Sequence, residues 1–309
     1  MRFQNHIIVT GASGFIGKNL INKIKPKENT KYIFIYKTKK PIINNNNLKN
    51  YIFLKLDLTK KSSFRKLPKK QVSIIYHLAA DPNTFVEYQS MNDQFFSNTT
   101  MAMNIANYCK EKKVKYLFFA SSVYVYSGTK TQKYKTNDIT YPNEMLGTSK
   151  LASELIFNSF SGFMDTKIII LRFFTIYGQG ANPNQLIPSV IKKIRNSKKS
   201  ITFYKNSVTR DFIHIFDVIN ILLLISSKLA KIKQKINIIN VGNGKKIKVL
   251  FVIKYLLEII NPKLKLNLVT QSKRNIGDSN HCADIRELRK LFNYKPKINF
   301  TDGLKRLIK

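Results

Sequence analysis

Gly11, Gly14 and Gly17 follow one another at a three-residue spacing. They stand between the β-branched run Ile7-Ile8-Val9 and a segment patterned as a helix (Phe15, Ile16, Asn19, Leu20, Ile24). A short apolar run of this kind reads as a buried strand of a parallel sheet. Strand, glycine turn and helix in that order make a phosphate site. The glycines permit a tight turn and close backbone approach, and the helix N-terminus offers unpaired N–H groups with partial positive charge. Glycines alone also mark ordinary turns; the flanking strand and helix are what point this motif to a dinucleotide.

The same alternation continues down the chain. Strands are predicted at Tyr32–Tyr36, Tyr51–Leu56, Val72–Tyr76, Val114–Ala120 and Lys167–Phe173, and Asn44–Asn47 read as a loop. Phe95, Met101, Ile105 and Tyr108 fall at near-helical spacing and make the core stripe of a long helix. Alternating βα units with no repeat and no linker predict an α/β fold, a doubly wound parallel sheet with right-handed crossovers. At 309 residues the chain is long enough to bury a sizeable core.

Charge is the feature most open to misreading. Fifty-four Lys and Arg against 17 Asp and Glu leave a formal +37, a balance that could mark a nucleic-acid surface. The excess is mostly lysine, spread along the whole length and accompanied by abundant asparagine. Arginine, the residue suited to phosphate and base recognition, is scarce. A compositional bias explains that pairing better, so no nucleic-acid partner is expected. No apolar run approaches the ~20 residues that span a bilayer, and the chain runs at once into its first strand. Cys109 and Cys282 are too few for a disulfide framework. These features predict a cytoplasmic protein with no membrane span.

In NAD-preferring units an acid near the end of the second strand holds the ribose 2′-hydroxyl. Here that end carries Lys37, Lys39 and Lys40 and no acid. A cationic strand end suits a 2′-phosphate, so the cofactor is expected to be NAD or NADP, with NADP favoured.

The wording TGASGFIG resembles the cofactor loop of the extended short-chain dehydrogenase/reductase family, the NAD(P)-dependent nucleotide-sugar epimerases, dehydratases and reductases. His77-Leu78-Ala79-Ala80 is similar to the family's H-x-A-A signature, and Ser121-Ser122 through Tyr126-Ser127 to its S-[ST]-x-x-V-Y-G, with Ser127 in place of the Gly. Tyr141 to Lys150, followed by Glu154, resembles P-x-x-x-Y-G-x-S-K-x-x-x-E. Thr209 to Val218 resembles R-D-[FY]-[IV]-H-V-x-D-V, and Asn240 to Gly244 the N-V-G-x-G turn. Arg274 to Asp278 is similar to the R-x-G-D loop with one extra residue, and Ala283-Asp284 to the A-D segment after it. The likeness runs from Ile7 to Leu304.

The resemblance implies a Rossmann unit over residues 1–170 and a smaller, interleaved substrate-binding part over 171–309, some of whose segments return to the first. It implies cofactor contacts from Gly11, Gly14, Phe15, Ile16, Gly17, Asp57, Leu58, Leu78, Ala79, Ala80 and Lys150. Ser122 would polarise the reacting sugar oxygen, and Lys150 would orient the nicotinamide ribose. Arg210 and Arg274 would clamp the diphosphate of a nucleoside-diphosphate sugar, a task that suits guanidinium geometry. Asp217 is expected to N-cap a helix, while Asp211 and His214 are expected in a structural hydrogen-bond cluster. A homodimer is expected.

Two departures bear on chemistry. The acid pair that dehydratases of the family carry after Ser122 is Val123-Tyr124 here, which argues against a 4,6-dehydratase. The family's catalytic Tyr falls on Leu146. Tyr and Lys four apart share a helix face, where the ammonium can lower the phenol pKa for general base work; leucine has no proton to exchange. Either another group takes that role (Tyr124, Tyr126, Tyr141 and Glu144 are near in sequence), or the protein binds without turnover, or Leu146 is a lesion in an otherwise intact gene. The implied activity is an epimerase or 4-keto reductase in polysaccharide biosynthesis.

Overall fold

A computed structural model describes residues 5–43, 48–82, 88–126, 132–205, 207–270 and 280–308. Asn44–Asn47, Ser127 and Arg274, each singled out above, lie outside the described residues. Seven parallel strands form one sheet: β1 (Asn5–Thr10), β2 (Thr30–Tyr36), β3 (Tyr51–Lys55), β4 (Val72–His77), β5 (Tyr116–Ser122), β6 (Lys167–Phe173) and a last strand, Ile236–Val241. From one edge the order is Ile236–Val241, β6, β5, β4, β1, β2, β3. The chain first winds outward from β1 to β3, then crosses back and winds the other way from β4. The switch point therefore lies between β1 and β4, where Thr10 is in register with both Ile35 and His77. Open α/β sheets bind ligands in the crevice beyond the carboxyl ends of strands at such a point.

Both faces of the sheet are covered, so its strands are apolar on alternate residues in both directions. Ile8, Ile33, Ile35, Ile75 and Leu117 pack with Ala102, Ile105 and Phe157 from α2 (Tyr88–Lys112) and α3 (Met145–Ser161). Val9, Phe34, Tyr76, Phe118 and Leu171 face the other way. They meet Leu20 and Ile21 of α1 (Phe15–Lys23), Val218, Ile221, Leu222 and Ile225 of α5 (Ile215–Ser227), and Leu288 of α7 (Arg286–Phe292). A third core joins Ile187, Val190 and Ile194 of α4 (Leu186–Asn196), Val252 and Leu256 of α6 (Val249–Ile260), and Phe300 and Leu304 of α8 (Phe300–Ile308). The last sheet strand thus comes from the second half of the chain, as does α5, while the third core is built from residues beyond 176 alone.

Two expectations need correction. The fifth strand is shifted from Val114–Ala120 to Tyr116–Ser122, because Ser121 and Ser122 pair with Arg172 and Phe173 of β6. Ser122 is therefore the last strand residue and not part of a loop. Nor is Asp217 the N-cap of α5. His214 holds that position, its Nδ1 accepting from the Phe216 N–H at 3.2 Å. Asp217 lies in the first turn, where it accepts from Tyr294 Oη at 2.7 Å and from the N–H groups of Lys297 and Ile298, both at 2.9 Å. Its carboxylate ties the approach to α8 onto α5.

Candidate active site

At the head of β1 the backbone turns sharply. Gly11 has φ +64°, and a Cβ there would meet the Ala79 nitrogen at 2.7 Å, so the turn is pressed against the end of β4. A Cβ on Gly17 would reach the Gly11 carbonyl oxygen at 2.1 Å, which sets α1 hard against the loop. Gly14 is different. It is exposed with φ −70°, and its nearest obstacle is the Gly11 oxygen at 3.1 Å, with open space beyond. The fold itself makes the smallest demand for glycine at the one position that faces outward. Gly14 is also the N-cap of α1, with no side chain capping the first-turn N–H groups. An uncapped helix start behind a bare glycine surface fits a pyrophosphate.

The neighbouring strand end is pinned from below. Thr10 Oγ1 accepts from the Leu78 and Ala79 N–H groups at 3.2 and 3.1 Å and shares a hydrogen bond with His77 Nδ1 at 2.9 Å. His77 is buried between Phe119 and Phe157, and burial pushes its pKa down to about 3. It is a neutral structural residue. Leu78, Ala79 and Ala80 are half-buried along the crevice, and Phe15 and Ile16 pack on the core below. Asp57 is partly exposed: its Oδ1 accepts from Thr59 N and Oγ1 at 3.0 and 2.8 Å, and its Oδ2 lies 3.3 Å from Lys37 Nζ. Slight burial raises its pKa, but the Thr59 bonds and Lys37 outweigh that and leave it lowered. Leu58 is buried in the core, and its carbonyl accepts from Asn104 Nδ2 at 3.0 Å.

Beyond β5, Ser122 is half-buried and its Oγ accepts from the Tyr124 N–H at 3.2 Å. Helix α3 lies directly over this turn; a Cβ on Gly147 would fall 2.0 Å from the Tyr124 carbonyl oxygen. That contact places Lys150, whose Nζ donates to the Ala120 carbonyl at 2.6 Å and sits 4.9 Å from the Phe119 ring centre. Burial lowers the Lys150 pKa to about 8 against the opposing pull of Glu154. Leu146, one turn earlier, is buried. Asn98 fastens the surround, donating to Ser149 Oγ at 3.0 Å and accepting from the Asp81 N–H at 2.8 Å.

A second group gathers around Arg210. Arg210 Nη1 donates to His281 Nδ1 at 2.7 Å. The His281 ring stands edge-on to Tyr124, with centres 5.5 Å apart and planes at 89°. Arg210 acts electrostatically on Tyr124, Glu144 and His281. Asp211, beside it in sequence, points away into the fold, where it accepts from the N–H groups of Asn243, Gly244 and Ala283 at 2.7–2.9 Å. Asp211 is structural, and it holds the 243–244 turn and the 283 segment together.

Sequence reasoning did not find the buried ion pair beneath the site. Arg172 Nε and Nη2 grip Glu154 at 3.1 and 2.7 Å, and Nη1 donates to Tyr126 Oη at 2.8 Å. Glu154 also accepts from Ser121 Oγ. The available signals were Glu154 one turn after Lys150 and an Arg inside the otherwise apolar IIILRFF strand. His281 was missed as well, since it lies in no motif.

The profile of the NAD dependent epimerase/dehydratase family matches residues 7–242. A UDP-glucuronate 4-epimerase of Thermodesulfobacterium geofontis is 26% identical over 99% of this chain and 95% of its own length. YtcB of Bacillus subtilis, described as an uncharacterized UDP-glucose epimerase, is 28% identical over 96% and 95%. Among solved structures, the UDP-glucuronic acid 4-epimerase of Bacillus cereus, in complex with UDP-glucuronic acid and NAD, superposes with a TM-score of 0.82 at 23% identity, covering 98% of both chains. The profile takes in the glycine turn, Ser122, Lys150 and Arg210 together, and the protein is a member of this enzyme family of the extended short-chain dehydrogenase/reductase type.

Proposed function

We propose that the protein is an NAD(P)-dependent epimerase or 4-keto reductase acting on a nucleoside-diphosphate sugar in polysaccharide biosynthesis. What supports this reading is the glycine turn with the uncapped start of α1 after β1, Ser122 at the carboxyl end of β5, and Lys150 bonded to that same strand. The bare surface at Gly14 and the uncapped start of α1 hold the pyrophosphate. Lys150 would orient the nicotinamide ribose, and Ser122 would donate to the reacting sugar oxygen. The dinucleotide supplies a two-electron oxidant that takes up and returns the hydrogen on a sugar carbon. Arg210, with Arg274, holds the substrate diphosphate. Residues 1–170 carry the cofactor contacts and residues 171–309 most of the substrate contacts.

The lysines at the end of β2 support NADP over NAD. The burial of Cys109 and Cys282 as free thiols supports a reducing, cytoplasmic setting, and no described helix is long and apolar enough to cross a membrane. Phe96 and Met103 on α2 and Leu155 on α3 are exposed apolar residues on the paired helices, which supports a homodimer through that face. Phe96→Glu with Leu155→Glu is expected to give a monomer on sedimentation.

The test is to load the protein with NAD or NADP, add UDP-glucose and UDP-glucuronic acid in turn, and follow nicotinamide absorbance and product sugar. Turnover supports the reading, and Leu146→Tyr should raise it. Tight dinucleotide binding with no turnover of any nucleotide sugar overturns it. That outcome favours a binding protein without turnover, a second reading that rests on the buried Leu146.

A further inference from the structure

The reading above leaves one proton without a destination. When a sugar carbinol is oxidised its hydroxyl proton must leave, and Leu146 cannot take it. Tyr124, Tyr126, Tyr141 and Glu144 are near Leu146 in sequence, and tertiary structure separates them. Tyr141 is 72% exposed. Tyr126 is locked below the site, its Oη accepting from Arg172 and facing the Lys135 carbonyl and Asn240 Oδ1 at 3.0 Å each. Tyr124 and Glu144 remain, and both lie within the field of Arg210.

Glu144 immediately precedes α3 at the N-cap position, yet its side chain makes no capping bond. It is only 6% exposed, and Oε1 is fully buried with no hydrogen-bond partner among the described residues. A buried acceptor left unpaired is costly and calls for an explanation. A second unpaired group lies in the same cluster. Arg210 is always a donor, so His281 Nδ1 accepts and the ring hydrogen sits on Nε2. That Nε2–H is also buried with no partner among the described residues. An unpaired acceptor and an unpaired donor flank Tyr124, whose backbone N–H is bound by Ser122 Oγ. The cluster is thus tied to the hydroxyl assigned to the reacting oxygen.

We propose that Glu144 is the proton-transfer residue in place of the absent tyrosine, with Tyr124 as the neutral donor that positions the sugar hydroxyl against it. In the oxidative step the O–H bond breaks and its proton passes to the Glu144 carboxylate. A C=O bond forms as the carbon's hydrogen leaves with its electron pair to the nicotinamide dinucleotide, the oxidant. The reductive step returns both. Burial raises the Glu144 pKa toward neutrality, with Arg210 opposing. It raises the Tyr124 phenol further from neutrality, again against Arg210 and with Glu144 adding to the rise. A general base works best with a pKa near the working pH, which the carboxylate approaches and the phenol does not. Among the described residues, the charged and titratable groups that act on Glu144 or on its partners are Arg210, Tyr124 and, through Arg210, His281.

Two measurements on dinucleotide-loaded protein test this, the first by binding alone. Calorimetry of UDP-glucose binding, in buffers of different ionisation enthalpy, should show proton uptake by the wild type at acid pH that fades toward neutrality, because a diphosphate on Arg210 weakens the charge that favours ionised Glu144 while the carboxylate stays ionised, and able to accept the proton, at the working pH. Glu144→Gln should abolish that uptake; uptake of the same size in the variant overturns the proposal. Next, nicotinamide reduction by UDP-glucose should fall about 10²–10⁴-fold in Glu144→Gln, lose its acid limb, and recover in part in Glu144→Asp. Wild-type reduction unaffected by Glu144→Gln, with Tyr124→Phe inactive, overturns the assignment to Glu144 and leaves the enzymatic reading standing. A wild type that binds with the linkage but never reduces the nicotinamide overturns that reading and the role of Glu144 with it.

Discussion

Lys150 Nζ donates to the Ala120 carbonyl across 2.6 Å, and this bond, together with that from Ser121 to Glu154, joins α3 to the strand that ends in Ser122. The ammonium is buried, so its placement is costly unless a partner is close. The Ala120 carbonyl is that partner.

Lys150→Met should weaken dinucleotide binding by about 10- to 150-fold, the 1.5–3 kcal/mol of a hydrogen bond to a charged group. Its effect on stability has the opposite sign at moderate pH. Burial lowers the folded pKa to about 8 from 10.5, so between those values the unfolded chain holds a proton that the folded chain has released. Wild-type stability therefore rises with pH through that window. Urea titrations across it should show the rise in the wild type and not in the variant.

Gly14 and Gly17 should respond to substitution in opposite ways. Gly17→Ala forces a Cβ onto the Gly11 oxygen at 2.1 Å and should destabilise the fold by about 1–3 kcal/mol, as overpacking does. Gly14→Val meets little of the protein itself. Its melting temperature without cofactor should stay close to the wild type while calorimetric binding of NAD and NADP is lost.

Glu154→Ala leaves Arg172 buried and uncompensated, which typically costs about 3–5 kcal/mol. Replacing both partners with apolar residues, as Glu154→Leu with Arg172→Met, should be far less damaging than the sum of the single changes. Chemical denaturation of the two singles and the double measures the coupling.

Acid should destabilise the protein through its buried histidines. Burial lowers the pKa values of His77 and His281 to about 3 from 6.5, with Lys150 and Arg210 adding to the respective shifts. Between those values the unfolded chain binds protons that the folded chain refuses, so stability falls as pH drops below about 6.5. Each histidine contributes up to about 1.4 kcal/mol per pH unit. His281→Asn should flatten the slope of melting temperature against pH in that range.

What the sequence determined by itself was everything local in cause. The glycine turn, the apolar strands and the alternation of strand and helix follow from periodicity and backbone sterics, and they were enough for the α/β class and the dinucleotide crevice. Resemblance to the family's motifs singled out Ser122, Lys150 and Arg210. Other features depended on residues far apart in the chain. Asp217 looked like a helix cap because a cap is a local bond; its actual partners lie 77–81 positions away. The Arg172–Glu154 grip, the Arg210–His281 bond and the isolation of Glu144 Oε1 exist only because β5, β6, α3 and the 280–284 segment meet in space. Burial decides which polar groups are satisfied and which wait for a ligand, and burial is a property of the packed molecule.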